Sequence, residues 1–197
     1  MSRTAVKIAG GVSPLFIHLM SLDLARNHFE LFGLPVRFDV PQERVDAAYR
    51  DIQAQVHPDR FAHSSEAERR VSMQWATRVN EAYQTLKSPL RRATYLLELQ
   101  GMDIGAESNT AMPAEFLMEQ MEWREAIEEA QAGRDLDELD ALLRRLRSEM
   151  RRHYAELGRE IDESQDYGGA TQTTRKLMFL EKLQSEIGDA LAELEES

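Results

Sequence analysis

Residues 51–61 read DIQAQVHPDRF, and this stretch decides how the N-terminal half of the chain folds. A helical pattern runs into it, with apolar side chains at the spacing of one helix face: Val45, Tyr49, Ile52 and Val56. Pro58 ends that helix, because proline has no N–H to donate and pushes the preceding residue out of the α region. The sequence therefore predicts that His57 and Asp59 lie on a tight polar turn, where both side chains can reach a partner.

A second helix follows the turn. Its apolar stripe has the same period and comprises Val71, Trp75, Val79, Ala82 and Leu86. Two helices with facing stripes and a polar turn predict an antiparallel hairpin. Upstream, residues 29–32 form a short predicted helix that Gly33 and Pro35 end. We expect five side chains to be core, each contributing roughly 1.5–3 kcal/mol: Tyr49, Ile52, Val56, Trp75 and Tyr83.

The order of these features resembles a J-domain. The similarity is carried by residues 29–34, Tyr49-Arg50, the His57-Pro58-Asp59 tripeptide and residues 80–83, which read NEAY. Members of that family dock on the ATPase of a DnaK-class chaperone through the tripeptide loop and the helix before it. The resemblance thus implies a chaperone-binding set that comprises His57, Pro58, Asp59, Arg50 and Arg60.

The exposed face of the predicted first hairpin helix is less basic than is usual in that family. Arg44 and Arg50 lie on it, but acidic residues are interspersed at Glu43, Asp46 and Asp51. The weaker positive strip suits a protein with one dedicated chaperone partner. From the residues alone, the two arginines fit a solvated face as well as a partner contact.

Composition excludes several function classes. The 197 residues carry a formal net charge of −11, which argues against general nucleic-acid binding and against attachment to an anionic membrane. Six prolines and ten glycines are few for this length and favour a mostly helical fold. The chain has no cysteine, and its five histidines show no metal-ligand spacing. We therefore expect no metal and no cofactor, and no enzyme activity, since no nucleophile accompanies His57.

The first 25 residues resemble a signal peptide only loosely. Arg3 and Lys7 precede an apolar run at 12–20, which is too short to span a bilayer and is interrupted by Pro14. We expect residues 1–25 to be a disordered extension or an over-called start, with Met20 as the true initiator, rather than a targeting segment.

The segment after the hairpin connects it to the second half. Ser88-Pro89 predicts an N-cap and first helical position. Residues 91–99 are more apolar than one face of a small hairpin can cover, so we infer that they pack against a C-terminal domain. Gly101 ends this helix. The predicted divisions are a J-domain at 26–100, a linker at 101–112 and a helical bundle at 113–197.

The helix predicted from Pro113 to about Ala132 has two faces with apolar residues. One stripe comprises Phe116, Gln120, Trp123, Ile127 and Ala130. Of these, we expect Phe116, Trp123 and Ile127 to be buried. The other face carries Leu117, Met118 and Met121, bordered by Glu122, Glu125 and Glu129. An exposed apolar patch rimmed by charge is a candidate protein-binding site. The pattern fits equally a helix that is buried on both sides between two neighbours.

Two further helices complete an antiparallel three-helix bundle. Asp135 opens the first, whose stripe comprises Leu139, Leu143, Leu146, Met150, Tyr154, Leu157 and Ile161. Gly168-Gly169 is predicted to break the pattern, and the last helix to run from about Thr171. The outer face of the first is basic: Arg144, Arg145, Arg147, Arg151 and Arg152. We interpret it as a solvated face, since the overall acidity disfavours the alternative of nucleic-acid binding.

The second half of the chain resembles the HscB-type J-proteins of bacterial iron–sulfur cluster assembly. The similarity runs from about His28 to the end and is carried by residues 95–97, 116–120, 123–125 and 175–183. In that family the first bundle helix and a phenylalanine of the last one bind the cluster scaffold protein IscU. The resemblance implies a scaffold-binding set of Leu117, Met118, Met121, Glu122, Glu125, Glu129 and Phe179.

This resemblance implies an all-α co-chaperone with two partners. It would bind an IscU-like scaffold, deliver it to an HscA/DnaK-class chaperone and stimulate that chaperone's ATPase, with no nucleic-acid or membrane partner. The chain lacks the N-terminal cysteines of eukaryotic relatives, which favours a bacterial cytoplasmic protein. One alternative is a general J-domain co-chaperone for other clients, disfavoured because Gly/Phe-rich and zinc-finger segments are absent. The other is a structural helical adaptor whose tripeptide is incidental.

Overall fold

The structure is a computed structural model that describes residues 26–62, 64–105 and 114–195. These ranges hold seven α-helices and no strand. In chain order the helices are α1 (His28–Leu31), α2 (Gln42–Val56), α3 (Glu66–Lys87), α4 (Pro89–Leu99), α5 (Ala114–Ala132), α6 (Leu136–Arg159) and α7 (Tyr167–Glu195). A 3-10 turn at Pro58–Phe61 separates α2 from α3, and a π-helical turn at Glu160–Ser164 follows α6. The predicted all-α fold is confirmed.

The chain divides into two compact units. Of the described residues, unit 1 comprises 26–36, 40–62 and 64–87, and unit 2 comprises 37–39, 88–105 and 114–195. Helix α4 belongs to unit 2 and packs on α7, which confirms that residues 91–99 contact the C-terminal helices. The domain limit at residue 100 stays a prediction. The expected extension at 1–25, the linker residues 106–112 and Pro113 lie outside the described residues.

Unit 1 is built on an antiparallel hairpin of α2 and α3. The Tyr49 hydroxyl donates to Asn80 at 2.8 Å, and the Tyr83 hydroxyl donates to Asp46 at 2.9 Å. Residue numbers that rise along α2 thus face numbers that fall along α3, as predicted. The buried side chains of this hairpin include Val45, Val56, Trp75, Val79, Ala82 and Leu86.

Three of the five expected core residues in this hairpin are only half-buried: Tyr49, Ile52 and Tyr83. The two tyrosine rings stack with their centroids 4.0 Å apart. Each phenol needs a polar partner for its hydroxyl, and such partners are found at the edge of a helix interface. The expectation that Tyr49, Ile52 and Tyr83 lie in the core was therefore wrong.

Unit 2 has its core between α6 and α7, which run antiparallel. The Tyr154 hydroxyl donates to Glu181 at 2.7 Å, and the Thr173 hydroxyl donates to Glu160 at 3.2 Å. Leucines supply most of the buried surface: Leu139, Leu142, Leu143, Leu146, Leu157, Leu177, Leu180 and Leu183.

Asp135 caps α6 by accepting from the Glu138 N–H, as predicted. Tyr154 lies on the predicted stripe and is half-buried. Its burial and its hydrogen bond to Glu181 raise its pKa.

The break between α6 and α7 does not lie at Gly168-Gly169. Helix α7 starts at Tyr167, and the chain reverses at Gln165, which has a left-handed φ of 54°. The Asp166 carboxylate accepts from the Gly169 N–H at 3.0 Å. A Cβ at Gly169 would lie 2.5 Å from Asp166 Oδ2 and 2.9 Å from Glu160 Oε1. A side chain at position 169 would therefore have to displace these carboxylates from their present positions in the first turn, and the expected helix break there was wrong.

Asp162 holds a distant segment of unit 2. Its carboxylate accepts from the backbone N–H groups of Phe38 at 2.7 Å and Asp39 at 2.8 Å. The Arg37 guanidinium lies 3.4 Å from the same carboxylate. Arg92 is buried with its guanidinium 5.3 Å from the centre of the Phe38 ring, and its burial lowers its pKa. Residues 37–39 therefore group with helices far away in sequence.

Alanine substitution at two glycines of α7 should change the free energy of unfolding in opposite directions. A methyl group added at Gly188 would meet no side chain or backbone beyond the adjacent turns of its own helix within 4 Å, so Gly188→Ala should raise the free energy of unfolding by about 0.5–1 kcal/mol. Gly169→Ala should lower it, because the new methyl group would displace the Asp166 cap. Urea unfolding of both variants tests this. Equal stabilisation by both would contradict the close packing at Gly169.

Candidate protein-binding sites

The first candidate site is the loop between α2 and α3. His57 is extended, with φ −58° and ψ 128°, as expected for a residue before proline. Its Nδ1 accepts from the Asp59 N–H at 3.3 Å and so caps the 3-10 turn. Phe61 is buried and anchors the other end of that turn. The loop is thus held at both ends while its polar side chains point outward.

The two ionisable side chains of the tripeptide, His57 and Asp59, are accessible. The His57 side chain is 49% exposed and the Asp59 side chain 90% exposed. Asp59 Oδ2 lies 3.6 Å from His57 Nδ1. In the neutral imidazole this Nδ1 is already the acceptor for the Asp59 N–H, so it cannot also donate to the carboxylate. The Asp59 carboxylate is therefore available to a cation on another molecule, and His57 Nε2 is available as a donor.

The proline of the tripeptide leaves the end of α2 short of donors. In an uninterrupted helix the Ala54 carbonyl would accept from the N–H of residue 58, which proline lacks. The Arg60 guanidinium supplies this bond instead, with Nη1 2.8 Å from the Ala54 oxygen. The Val56 carbonyl accepts from the hydroxyl of Ser72 on α3 at 2.7 Å. The Arg60 N–H, which would have served Val56, bonds to the His57 carbonyl at 3.0 Å.

Ser72 was missed by the sequence analysis. It is fully buried on the face of α3 that also carries Trp75 and Val79. A serine within a buried apolar stripe signals a hydroxyl that must find an internal partner. That signal was present in the sequence, but it does not name the carbonyl 16 residues away.

Helix α2, which leads into the loop, carries two exposed arginines. Within the described residues, neither Arg44 nor Arg50 lies within salt-bridge distance of a carboxylate. The interspersed Asp46 is engaged by Gln42 and Tyr83, and these two hydrogen bonds lower its pKa. The assignment of Arg50 and Arg60 as chaperone contacts stays a prediction.

The second candidate site is one face of α5. Leu117 is 41% exposed, Met118 64% and Met121 62%. The opposite face is buried and consists of Phe116, Trp123, Ile127 and Ala130. The two possibilities left open by the pattern are thereby decided: in unit 2 only one face of α5 is covered.

Acidic side chains border this apolar face. Glu122, Glu125 and Glu129 are all exposed. No described Lys, Arg or His lies within salt-bridge distance of these three carboxylates. Their negative charge is therefore available to orient a partner with a complementary surface.

Phe179 of α7 borders the same region. It is half-buried, and its ring meets the Phe116 ring edge-on with the two centroids 5.6 Å apart. Phe116 directly precedes Leu117 in the sequence, so Phe179 contacts α5 close to the position where the exposed face begins. Trp123 is covered by the Arg145 guanidinium at 4.6 Å. Aromatic contacts thus fix α5 from its buried side, and the exposed side chains stand on a rigid helix.

The arginines predicted on the outer face of α6 are exposed. Arg145 pairs with Glu149 at 3.5 Å. For Arg144, Arg147, Arg151 and Arg152 the described residues provide no carboxylate within 4.0 Å. Nothing in this arrangement distinguishes the surface from an ordinary solvated one.

The described residues contain neither a candidate membrane span nor a candidate metal cluster. None of the described helices is long and apolar enough to cross a bilayer. No group of three or more His, Asp or Glu side chains converges as a metal site in these parts of the chain.

Comparisons with known families cover both halves. The family model of the DnaJ domain matches residues 27–95. The model of the HSCB C-terminal oligomerisation domain matches residues 112–188. Each of the two matches contains one of the two candidate sites.

Curated relatives match over almost their whole length. The chain is 56% identical to the co-chaperone protein HscB homolog of Aromatoleum aromaticum, covering 89% of this chain and 99% of the relative. Among solved structures, the chaperone HscB from Vibrio cholerae is 39% identical, with a TM-score of 0.77, covering 86% of this chain and 99% of that one. The human co-chaperone protein HscB is 28% identical, with a TM-score of 0.80 over 85% and 83% of the two chains.

The exposed face of α5 should contribute little to stability. Replacing Met118 and Met121 together by alanine should change the free energy of unfolding by less than about 0.5 kcal/mol, because both side chains are solvated. Phe116→Ala should cost about 3–5 kcal/mol, since that ring is buried. Denaturant unfolding followed by Trp123 fluorescence in a Trp75→Phe background reports unit 2 alone. A large loss in the methionine variant would show that this face is core.

Proposed function

The chain belongs to the HscB family of J-domain co-chaperones, and from that membership we propose that it works as an adaptor with two partners. The adaptor binds an IscU-like iron–sulfur cluster scaffold and delivers it to an HscA/DnaK-class chaperone. It stimulates that chaperone's ATPase and so supports maturation of iron–sulfur proteins. The observation that carries the proposal is the presence of two separate exposed surfaces, one in each unit.

The loop of unit 1 is the proposed chaperone contact. Asp59 offers an accessible carboxylate that no strong internal partner neutralises. A charge-assisted bond to a chaperone arginine is short and strong, and an amide at this position would lose it. His57 Nε2 and the guanidinium of Arg50 are further donors of the proposed contact set. Pro58 supports the contact by holding His57 extended.

The α5 face of unit 2 is the proposed scaffold contact. Burial of Leu117, Met118 and Met121 removes apolar surface from water, and this supplies most of the affinity. The glutamates at 122, 125 and 129 give orientation and a faster encounter more than affinity. Phe179 completes the surface from α7.

Stimulation requires a preference between chaperone states. A ligand that binds two conformations equally shifts nothing, however tightly it binds. The adaptor therefore has to bind the hydrolysis-competent, ATP-bound state of the chaperone more tightly than the resting state. It adds no chemical group to the reaction and acts through binding energy alone.

Asp59→Asn tests the loop. The variant should abolish ATPase stimulation, because the uncharged side chain loses the ion pair while the loop keeps its shape. Steady-state ATPase of an HscA-class chaperone is measured with the variant, with and without scaffold. Scaffold binding, measured by calorimetry without the chaperone, should equal that of the unaltered protein. Normal stimulation by the variant would show that the loop is not the docking site.

The α5 face has a matched control on α3. Met118→Ala with Met121→Ala should weaken scaffold binding at least about tenfold, which corresponds to about 1.4 kcal/mol. Met73 is 60% exposed, close to the 64% and 62% of these two methionines, but it lies in unit 1. Met73→Ala should leave scaffold affinity unchanged. Equal effects of the two changes, or none, would remove the α5 face from the proposal.

A further inference from the structure

The tripeptide loop depends on a residue that no partner can touch. Ser72 is fully buried on α3, and its hydroxyl donates to the Val56 carbonyl at 2.7 Å. A helical serine commonly bonds back to a carbonyl four residues earlier in its own helix. Ser72 instead crosses to α2 and bonds to the last residue before His57.

The Ser72 hydrogen bond is needed because the N–H groups of residues 58, 59 and 60 are absent or already paired. Pro58 provides no N–H, the Asp59 N–H is taken by His57 Nδ1, and the Arg60 N–H is taken by the His57 carbonyl. The Val56 carbonyl belongs to a fully buried residue and so depends on Ser72. Without that hydroxyl, the carbonyl must turn toward water or take an N–H from the loop, and either change moves His57 and Asp59.

We propose that Ser72 is a positioning residue for chaperone docking, which holds the His57-Pro58-Asp59 loop in its binding conformation by capping the Val56 carbonyl. The inference rests on the proposed function of that loop. Loss of the cap lowers the fraction of molecules with a competent loop, and apparent affinity falls by the same fraction. The concentration of adaptor needed for half-maximal ATPase stimulation therefore rises, while the stimulation at saturation stays the same.

A substitution at Ser72 tests positioning of the loop alone, whereas a substitution at Arg60 does not. Arg60 also caps α2, through the Ala54 carbonyl, but it is exposed and belongs to the predicted contact set. A change at Arg60 would alter both roles together. A change at Ser72 reaches the chaperone only through the loop.

The test compares the full-length Ser72→Ala and Val79→Ala variants. Alanine keeps the helix and removes only the hydroxyl. Val79 is fully buried on the same helix, so Val79→Ala destabilises unit 1 without touching the loop. Steady-state ATPase of an HscA-class chaperone is titrated with each protein below the temperature at which either variant begins to unfold. Amide hydrogen exchange of Asp59, Arg60 and Ala62 is followed in parallel.

We expect Ser72→Ala to raise the half-maximal concentration about fivefold, on the scale of one lost hydrogen bond. Exchange at the three loop amides should accelerate, and Ser72→Thr, which keeps the hydroxyl, should restore much of the affinity. Val79→Ala should change the half-maximal concentration less than about twofold, since the loop hydrogen bonds are intact. A half-maximal concentration unchanged by Ser72→Ala, or raised equally by Val79→Ala, overturns the positioning role. If the unaltered protein itself fails to stimulate, the proposed function fails instead.

Discussion

The loss of one backbone donor at Pro58 governs the structure around the exposed loop. The Ala54 and Val56 carbonyls at the end of α2 are satisfied from outside the helix, by the Arg60 guanidinium and the Ser72 hydroxyl. His57 is forced into an extended conformation, from which its ring caps the following turn. Because these backbone groups are satisfied internally, the loop can remain ordered while Asp59 is almost wholly exposed. Order in the backbone and exposure of the side chains are both needed for a docking surface.

Helix α5 shows a different compromise between stability and binding. Helix α6 has one apolar stripe and one charged face, as a surface helix should. Helix α5 has apolar residues on two faces and covers only one of them in unit 2. Three large apolar side chains that are 41–64% exposed contribute little to folding, and such a patch is a candidate protein-binding site. Phe116 and Trp123 fix the helix from behind and keep that surface rigid.

Contacts between residues far apart in sequence decide where residues 37–39 and Arg92 lie, and no local sequence pattern predicts these contacts. Asp162 collects two backbone N–H groups from residues 38 and 39, which lie 124 and 123 positions away. Arg92 is buried beside the same segment. Residues 37–39 therefore group with unit 2 although both flanking stretches belong to unit 1. An aspartate in a turn after a helix carries no sign of which backbone groups it will accept.

The sequence by itself determined which helices form, the stop at Pro58, the caps at Ser88 and Asp135, and the two-faced character of α5. These follow from local chemistry: the missing N–H of Pro58, the capping oxygens of Ser88 and Asp135, and apolar residues at helical spacing. Only the tertiary structure decided which apolar residues are covered. It placed Tyr49 and Tyr83 at an edge, because their hydroxyls need partners on the opposite helix. It also moved the start of α7 ahead of Gly168, and it joined Ser72 to Val56, because packing and hydrogen bonding across helices depend on neighbours that periodicity does not identify.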